Sequence, residues 1–353
     1  MRIRRRLPIL FGVLAVAAAV ALVVFLRKHA PPEPARLLPG ADAFFYFNLQ
    51  WARRVGAVDQ LPPVSHDPEY ERFIQETGFQ FERDLEQAAF AVHYRPSGPG
   101  ATPASGSAEL RFSEVFVAKV HGDRLTNYLR KIAKSVENYH SVDIFSIPLE
   151  GRTLRVAVLG VNTVAASNHD DPEVIRGIID RSRKLASPFA GPAFLRQYYK
   201  YVPLASLAWA VVRVDPGNEQ ATGSLQWTSF LFPKSSVVVA SARYIRALHL
   251  RAEAFAASEA DATRITEQLQ TFLNIFHSAT NSASNHGSDA DVKAFLDSLT
   301  VQTQGKRAVL IATASSGFLY KALTAPPAEL APVPPPEPQQ KAEPPAKPKS
   351  RHN

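Results

Sequence analysis

Hydrophobic and polar residues alternate over several stretches of this chain, as they do in half-buried β-strands. The pattern predicts strands in ADAFFYFNLQ (41–50), AAFAVHY (88–94) and RFSEVFVAKV (111–120). The segment between the last two strands is rich in Gly, Pro and Ser, which is typical of a surface loop. We therefore expect the second and third strands to be partners.

A helical spacing of apolar residues follows these strands. In the segment 121–136 the residues on one helical face are Leu125, Leu129, Ile132 and Val136. A second helix is predicted after Asp171, an N-cap residue that is followed by Pro172 at the first helical position. Between the two helices, the segment 142–160 is expected to form a hairpin that turns at Glu150 and Gly151.

The second half of the chain repeats this order. VPLASLAWAVVRV (202–214) resembles LPGADAFFYFNL (38–49), and a strand, a helix and a hairpin that turns at Gln304 and Gly305 come after it. The helix is expected to point four residues inward: Ile265, Leu269, Phe272 and Phe276. The pattern predicts an α+β fold of two tandem strand–helix–hairpin units with mainly antiparallel sheets, at 41–195 and 196–324.

An uncharged apolar run extends from Leu7 to Leu26. As a helix it would be roughly 30 Å long, which is the thickness of the hydrocarbon core of a bilayer. It is longer than the apolar region of a signal peptide and does not end at a small-residue cleavage site, so a retained anchor is favoured over a cleaved signal. A cleaved signal would make the protein secreted.

Positive charge predicts the orientation of this anchor. Arg4, Arg5 and Arg6 precede the apolar run, and the more basic flank of a membrane helix stays in the cytoplasm. We therefore expect a single-pass inner-membrane protein, with the N-terminus inside, the body extracytoplasmic and membrane lipid as a partner. Residues 1–28 would form the basic flank and the anchor, and residues 29–40 a Pro-rich stalk.

Composition limits the remaining possibilities. The formal net charge is +8, but most of it lies in the basic flank and in the tail, so the body is nearly neutral and we expect no nucleic-acid partner. The absence of cysteine excludes disulfides, thiolate catalysis and Cys-ligated zinc. Residues 325–353 are rich in Pro, Ala, Glu and Lys, a composition typical of a disordered tail.

Candidate chemistry is sparse. The chain has no phosphate-binding loop, dinucleotide-binding motif, serine nucleophile elbow or zinc-protease motif, and we expect no catalytic, cofactor-binding or metal site. The least unlikely candidates are His169, Asp170 and Asp171, which could hold a metal or act as a general base. Capping of the helix after Pro172 explains the same two acids without any function.

Two further groups of residues have a functional and a simpler structural explanation. Glu82, Asp84 and Glu86 lie close together, as paired carboxylates do in glycosidases, although an exposed charged surface is the commoner cause. Tyr198, Tyr199 and Tyr201 could stack on a sugar or a partner, although packing of a helix against a sheet is the more frequent role of such residues.

The stretches LLPGADAFFYFNL and AEAFAASEADATRITEQLQTFL, after one N-terminal anchor, resemble a type of bacterial single-pass, extracytoplasmic protein of unknown function with degenerate α+β repeats. This resemblance brings no catalytic residues. The leading hypothesis is a non-enzymatic module that binds a protein or envelope partner or scaffolds an envelope assembly. The alternative is an envelope hydrolase or metal-dependent enzyme whose site forms only in three dimensions.

Overall fold

The computed structural model describes residues 30–54, 66–94, 111–149, 151–184, 191–216, 231–232, 234–283 and 290–324. The predicted membrane span from Leu7 to Leu26, the arginines Arg4, Arg5 and Arg6 before it, and the predicted tail at 325–353 lie outside these residues. The stretch 33–38 is part of the predicted stalk but begins the folded body, because Ala35, Leu37 and Leu38 are buried in its core.

The strands of the described chain form one antiparallel sheet of twelve strands. Their bounds are β1 (Ala43–Asn48), β2 (Leu85–His93), β3 (Arg111–Ala118), β4 (Ser135–Tyr139), β5 (Val142–Leu149), β6 (Arg152–Val158), β7 (Thr163–Ser167), β8 (Ala208–Val214), β9 (Ser236–Ile245), β10 (Ala247–Phe255), β11 (Thr300–Gln304) and β12 (Arg307–Ala314). Their order across the sheet is β11-β12-β10-β9-β8-β1-β2-β3-β7-β6-β5-β4.

The joint between the two halves of the chain lies at the pair β1–β8. Ala43 of β1 is the partner of Val212, and Phe47 is the partner of Ala208, so the ladder runs along nearly all of β1. The predicted fold of two tandem strand–helix–hairpin units was therefore wrong. Both strands are apolar enough to be buried in the middle of a sheet, and their pairing turns two expected sheets into one.

Ten helices occur in the described part of the chain. Their bounds are α1 (Glu33–Leu37), α2 (Leu49–Arg54), α3 (Pro68–Thr77), α4 (Phe81–Asp84), α5 (Gly122–Ile132), α6 (Glu173–Arg183), α7 (Ala193–Tyr199), α8 (Glu259–Ala283), α9 (Ala290–Asp297) and α10 (Ser316–Thr324). The predicted helix over 121–136 ends at Ile132, and its last residue, Val136, belongs to the edge strand β4 instead.

None of the described helices is long and apolar enough to cross a membrane. The longest, α8, has 25 residues but carries Glu259, Asp261, Arg264 and Glu267 in its first three turns. These helices therefore do not support the predicted transmembrane, signal-anchor and single-pass character. The predicted lipid partner and the predicted inner-membrane localisation find no support in them either.

The sheet has two faces, which we name by the residues of β1. Face A carries Phe44 and Tyr46, and face B carries Phe45 and Phe47, since successive side chains of a strand point to opposite sides. The main core lies on face A, where Phe44 and Tyr46 pack with Leu38 after α1, Ile178 of α6 and Leu195 of α7. Burial of this layer holds α1, α6 and α7 against the centre of the sheet.

Face B is covered in three separate places. Leu125 and Leu129 of α5 pack on β5, β6 and β7 at one end of the sheet. Phe79, between α3 and α4, packs with Ala88 of β2. Ile265 of α8 packs on β10 and β12 at the other end of the sheet. Between the last two covers, no described residue lies over face B of β1, β8, β9 and β10.

Candidate functional site

The open part of face B is a groove with a floor of small side chains. The floor residues are five alanines that share this face, Ala208, Ala210, Ala240, Ala242 and Ala252. They come from three strands, and the register aligns them in rows. Ala240 of β9 is the direct partner of Ala210 on one side and of Ala252 on the other. The groove follows from this alignment, because methyl groups leave space where larger side chains would fill it.

Larger apolar side chains form the walls of the groove. Phe45 and Phe47 of β1 stand on one side, and Leu250 of β10 and Leu310 of β12 on the other. Phe47 is 42% exposed, which is unusual for a phenylalanine beside a buried sheet. The space between the walls has a volume of about 350 Å³. The described residues therefore form a concave, apolar cavity that none of them closes off from solvent.

The backbone beneath the groove is fully engaged in the sheet. β8 lies between β1 and β9, and β9 lies between β8 and β10, so their N–H and C=O groups bond to neighbouring strands on both sides. Trp209, Ser241 and Arg251 also border the space, but their side chains belong to face A. Within the described residues, no polar side chain rises from the floor.

One ionisable side chain continues the row of the groove along face B. Glu114 of β3 is the partner of Phe90 of β2, and Phe90 is the partner of Phe45 in the groove wall. Burial raises the pKa of the Glu114 carboxyl to about 7. A carboxyl at this place is uncharged for much of the acidic range, which explains how it is accommodated between Phe90 and Ala166.

The candidates His169, Asp170 and Asp171 lie in the turn between β7 and α6, at one end of face A. The Asp171 backbone N–H donates to Nδ1 of His169 at 3.1 Å, and the Asp171 carboxylate accepts from the Glu173 N–H at 2.9 Å. Asp170 forms an ion pair with Arg111 of β3. Each group thus has a local structural partner, and the three do not converge on one point.

The sequence pattern does not single out His93 of β2. Its ring lies edge-to-face against the ring of His169, with 5.1 Å between centroids. Nε2 of His93 is 3.4 Å from the hydroxyl of Ser113, and that hydroxyl is 2.9 Å from the hydroxyl of Ser167. Both serines are buried, so no substrate can reach them. Burial and the neighbouring His169 lower the pKa of His93 to about 4.

The sequence pattern gave no sign of this histidine pair, because 75 residues separate the two positions and only the β2–β3–β7 ladder brings them together. In the part of the chain that the structure describes, no group of three or more His, Asp or Glu side chains could hold a metal ion. The His93–His169 contact therefore has no third ligand.

The other groups singled out in the sequence have structural partners. The Glu82 carboxylate binds Nε2 of His66 at 3.2 Å and the Tyr70 hydroxyl at 2.8 Å, while the Asp84 carboxylate accepts from Arg83 at 2.7 Å. These carboxylates therefore do not form a pair across a shared cleft. The three tyrosines at 198, 199 and 201 pack against the main core, and Tyr199 contacts the ring of Trp209.

Comparison with known proteins adds little to this picture. No family model and no curated protein matches the chain. Among solved structures, crystal form III of TP0453 has a TM-score of 0.44 and 10% identity, covering 82% of this chain and 97% of that chain. Crystal form IV of TP0453 has a TM-score of 0.42 and 8% identity, covering 84% of this chain and 98% of that chain. Similarity at this level does not establish a shared function.

Proposed function

We propose that this protein is a non-enzymatic binding module that holds a small apolar molecule in the groove on face B. The single observation that carries the proposal is the floor of alanine methyl groups between the walls of Phe45 and Leu310, which leaves about 350 Å³ of apolar space. Ligand pockets in proteins measure roughly 300–1,000 Å³ and are lined mainly by apolar side chains. Transfer of an apolar molecule from water to such a site is favourable.

The geometry of the floor supports a small molecule over an extended peptide strand. A peptide strand binds by adding to the edge of a sheet, where backbone N–H and C=O groups are unpaired. The floor of the groove is instead the face of β8 and β9, two inner strands whose backbone groups are already paired on both sides. A ligand at this place gains contact and burial, and it gains no hydrogen bonds from the sheet.

The affinity expected from burial alone is moderate. A ligand that loses on the order of 300 Å² of apolar surface gains roughly 7 kcal/mol at about 25 cal/mol per Å². The loss of translational and rotational freedom on association opposes this gain, so the net binding free energy is well below this figure. Such binding should select ligands by size and apolar character.

The experiment that tests the proposal fills the groove with a larger side chain by mutation. It then measures the binding of a neutral fluorescent probe, N-phenyl-1-naphthylamine. Ala240 lies in the middle of the floor, so Ala240→Leu should weaken probe binding by about tenfold or more, equal to ~1.4 kcal/mol. The matched control is Ala260→Leu, an equal enlargement at an exposed position of α8. Equal binding by both variants would show that the probe does not occupy the groove.

A further inference from the structure

Glu114 lies beside the groove, at the side where an elongated ligand would extend beyond the groove wall. The residue faces the same side of the sheet as Phe45, with Phe90 as the single residue between them in the cross-strand row. Neighbouring strands are about 4.8 Å apart, so the Cα atoms of Phe45 and Glu114 are separated by about 10 Å. An elongated molecule that extends from the groove across Phe90 therefore reaches the Glu114 carboxyl.

The surroundings of Glu114 are apolar. On its own strand, the neighbours that share face B are Phe112 and Phe116, and its partner on β7 is Ala166. Among the described residues, no hydrogen bond or ion pair joins the Glu114 side chain to another group, and no charged residue contributes to its pKa shift. The residue is half-buried, so its carboxyl remains within reach of a ligand from solvent.

A carboxylate in such surroundings favours a cationic partner. Ionisation of Glu114 leaves a negative charge that is poorly solvated, and a protonated amine close to it would compensate that charge. A ligand with an acidic end would place two like charges in the same apolar environment. We infer that the groove prefers a cationic amphiphile, and this inference rests on the proposed function. Such a ligand has an apolar body in the groove and a protonated amine close to Glu114.

The test uses two probes with the same alkyl chain, decylamine and decan-1-ol, each of which competes with N-phenyl-1-naphthylamine for the groove. At about pH 8 the amine is protonated and Glu114 is largely ionised. The concentration of decylamine that displaces the fluorophore from wild-type protein should be about tenfold lower than the concentration of decan-1-ol that does so. This comparison needs no variant. Equal competition by the two probes would overturn the inference.

Variants then assign the preference to a residue. Glu114→Gln keeps the shape of the side chain and should abolish the preference by weakening amine binding, with alcohol binding unchanged. Glu267→Gln removes the same charge from an exposed position of α8 and should leave the preference intact. If Glu114→Gln kept the preference for the amine, the inference would be overturned, but the proposed binding of apolar molecules in the groove would not. Failure of both probes to displace the fluorophore from wild-type protein would overturn the proposed function itself.

Discussion

Phe45 of β1 and Ala210 of β8 are direct partners in the ladder that joins the two halves of the sheet. A phenyl ring stands beside a methyl group on face B, so the surface drops by the height of the ring at this joint. The groove begins at that step, with its wall from the first half of the chain and its floor from the second. Two separate sheets, as the sequence pattern predicted, would not form this groove.

Phe44 and Phe45 are adjacent in sequence but should have different roles. Phe44 is fully buried in the main core on face A, so Phe44→Ala should lower the free energy of unfolding by about 3–5 kcal/mol. Phe45 is half-buried in the groove wall, so Phe45→Ala should cost less than half as much while weakening probe binding severalfold. Urea denaturation and probe titration of both variants measure the two effects. Equal losses of stability would contradict the assignment of the faces.

Protonation of His93 should destabilise the fold at acidic pH. Its pKa is about 4 in the folded protein, because burial and the nearby His169 oppose a positive charge, whereas an unperturbed histidine titrates near 6.5. The folded state therefore binds fewer protons, and the free energy of unfolding should fall by about 2–3 kcal/mol as pH drops from about 6.5 to about 4. Urea denaturation at several pH values measures this slope, which His93→Gln should reduce. An unchanged slope in the variant would exclude His93 as its cause.

Glu114 should have the opposite effect on stability. Its pKa is raised to about 7 in the folded protein, so the folded state binds more protons than the unfolded state between about 4.5 and about 7. The stability that this group contributes is present at low pH and is lost as pH rises through about 7. Glu114→Gln should therefore gain stability relative to wild type when the pH is raised from about 5 to about 8. Parallel pH profiles for the two proteins would contradict the raised pKa.

Asp171 should contribute to stability and not to binding. Its carboxylate accepts the hydrogen bond from the Glu173 N–H at the start of α6, so Asp171→Ala should cost about 1 kcal/mol of stability. Probe binding should not change, because α6 packs on face A. Thermal denaturation and the probe titration test both parts. Asp170→Asn serves as a comparison, because Asp170 forms an ion pair with Arg111 and does not bond to the start of α6.

Much of the local structure could be predicted from the sequence. The pairing of β2 with β3 is as expected, and so is a helix that begins directly after Pro172. These features depend on residues that are close in the chain, where alternation and helical spacing are sufficient. Phe272 was predicted to point inward but is 53% exposed, although Ile265, on the same predicted face of α8, is buried.

The groove could not be predicted, for a physical reason. Its floor comes from three short stretches, 208–210, 240–242 and 252, that contribute small residues in ordinary strand sequences. Whether these residues share a face depends on the register of β8, β9 and β10, because a shift by one position moves a side chain to the other face. The pairing of β1 with β8 is equally unpredictable from sequence, since 164 residues lie between Phe45 and its partner Ala210. Alternation identifies a strand without identifying its neighbours.

Methyl NMR of alanine-labelled protein tests the central claim most directly. On titration with N-phenyl-1-naphthylamine, the methyl signals of Ala210, Ala240 and Ala252 should shift in a saturable manner, because these groups form the floor of the groove. The methyl signals of Ala89 and Ala165, which are buried on face A, should not move. Saturable shifts on face A with an unchanged floor, or no saturable shift at all, would contradict the account.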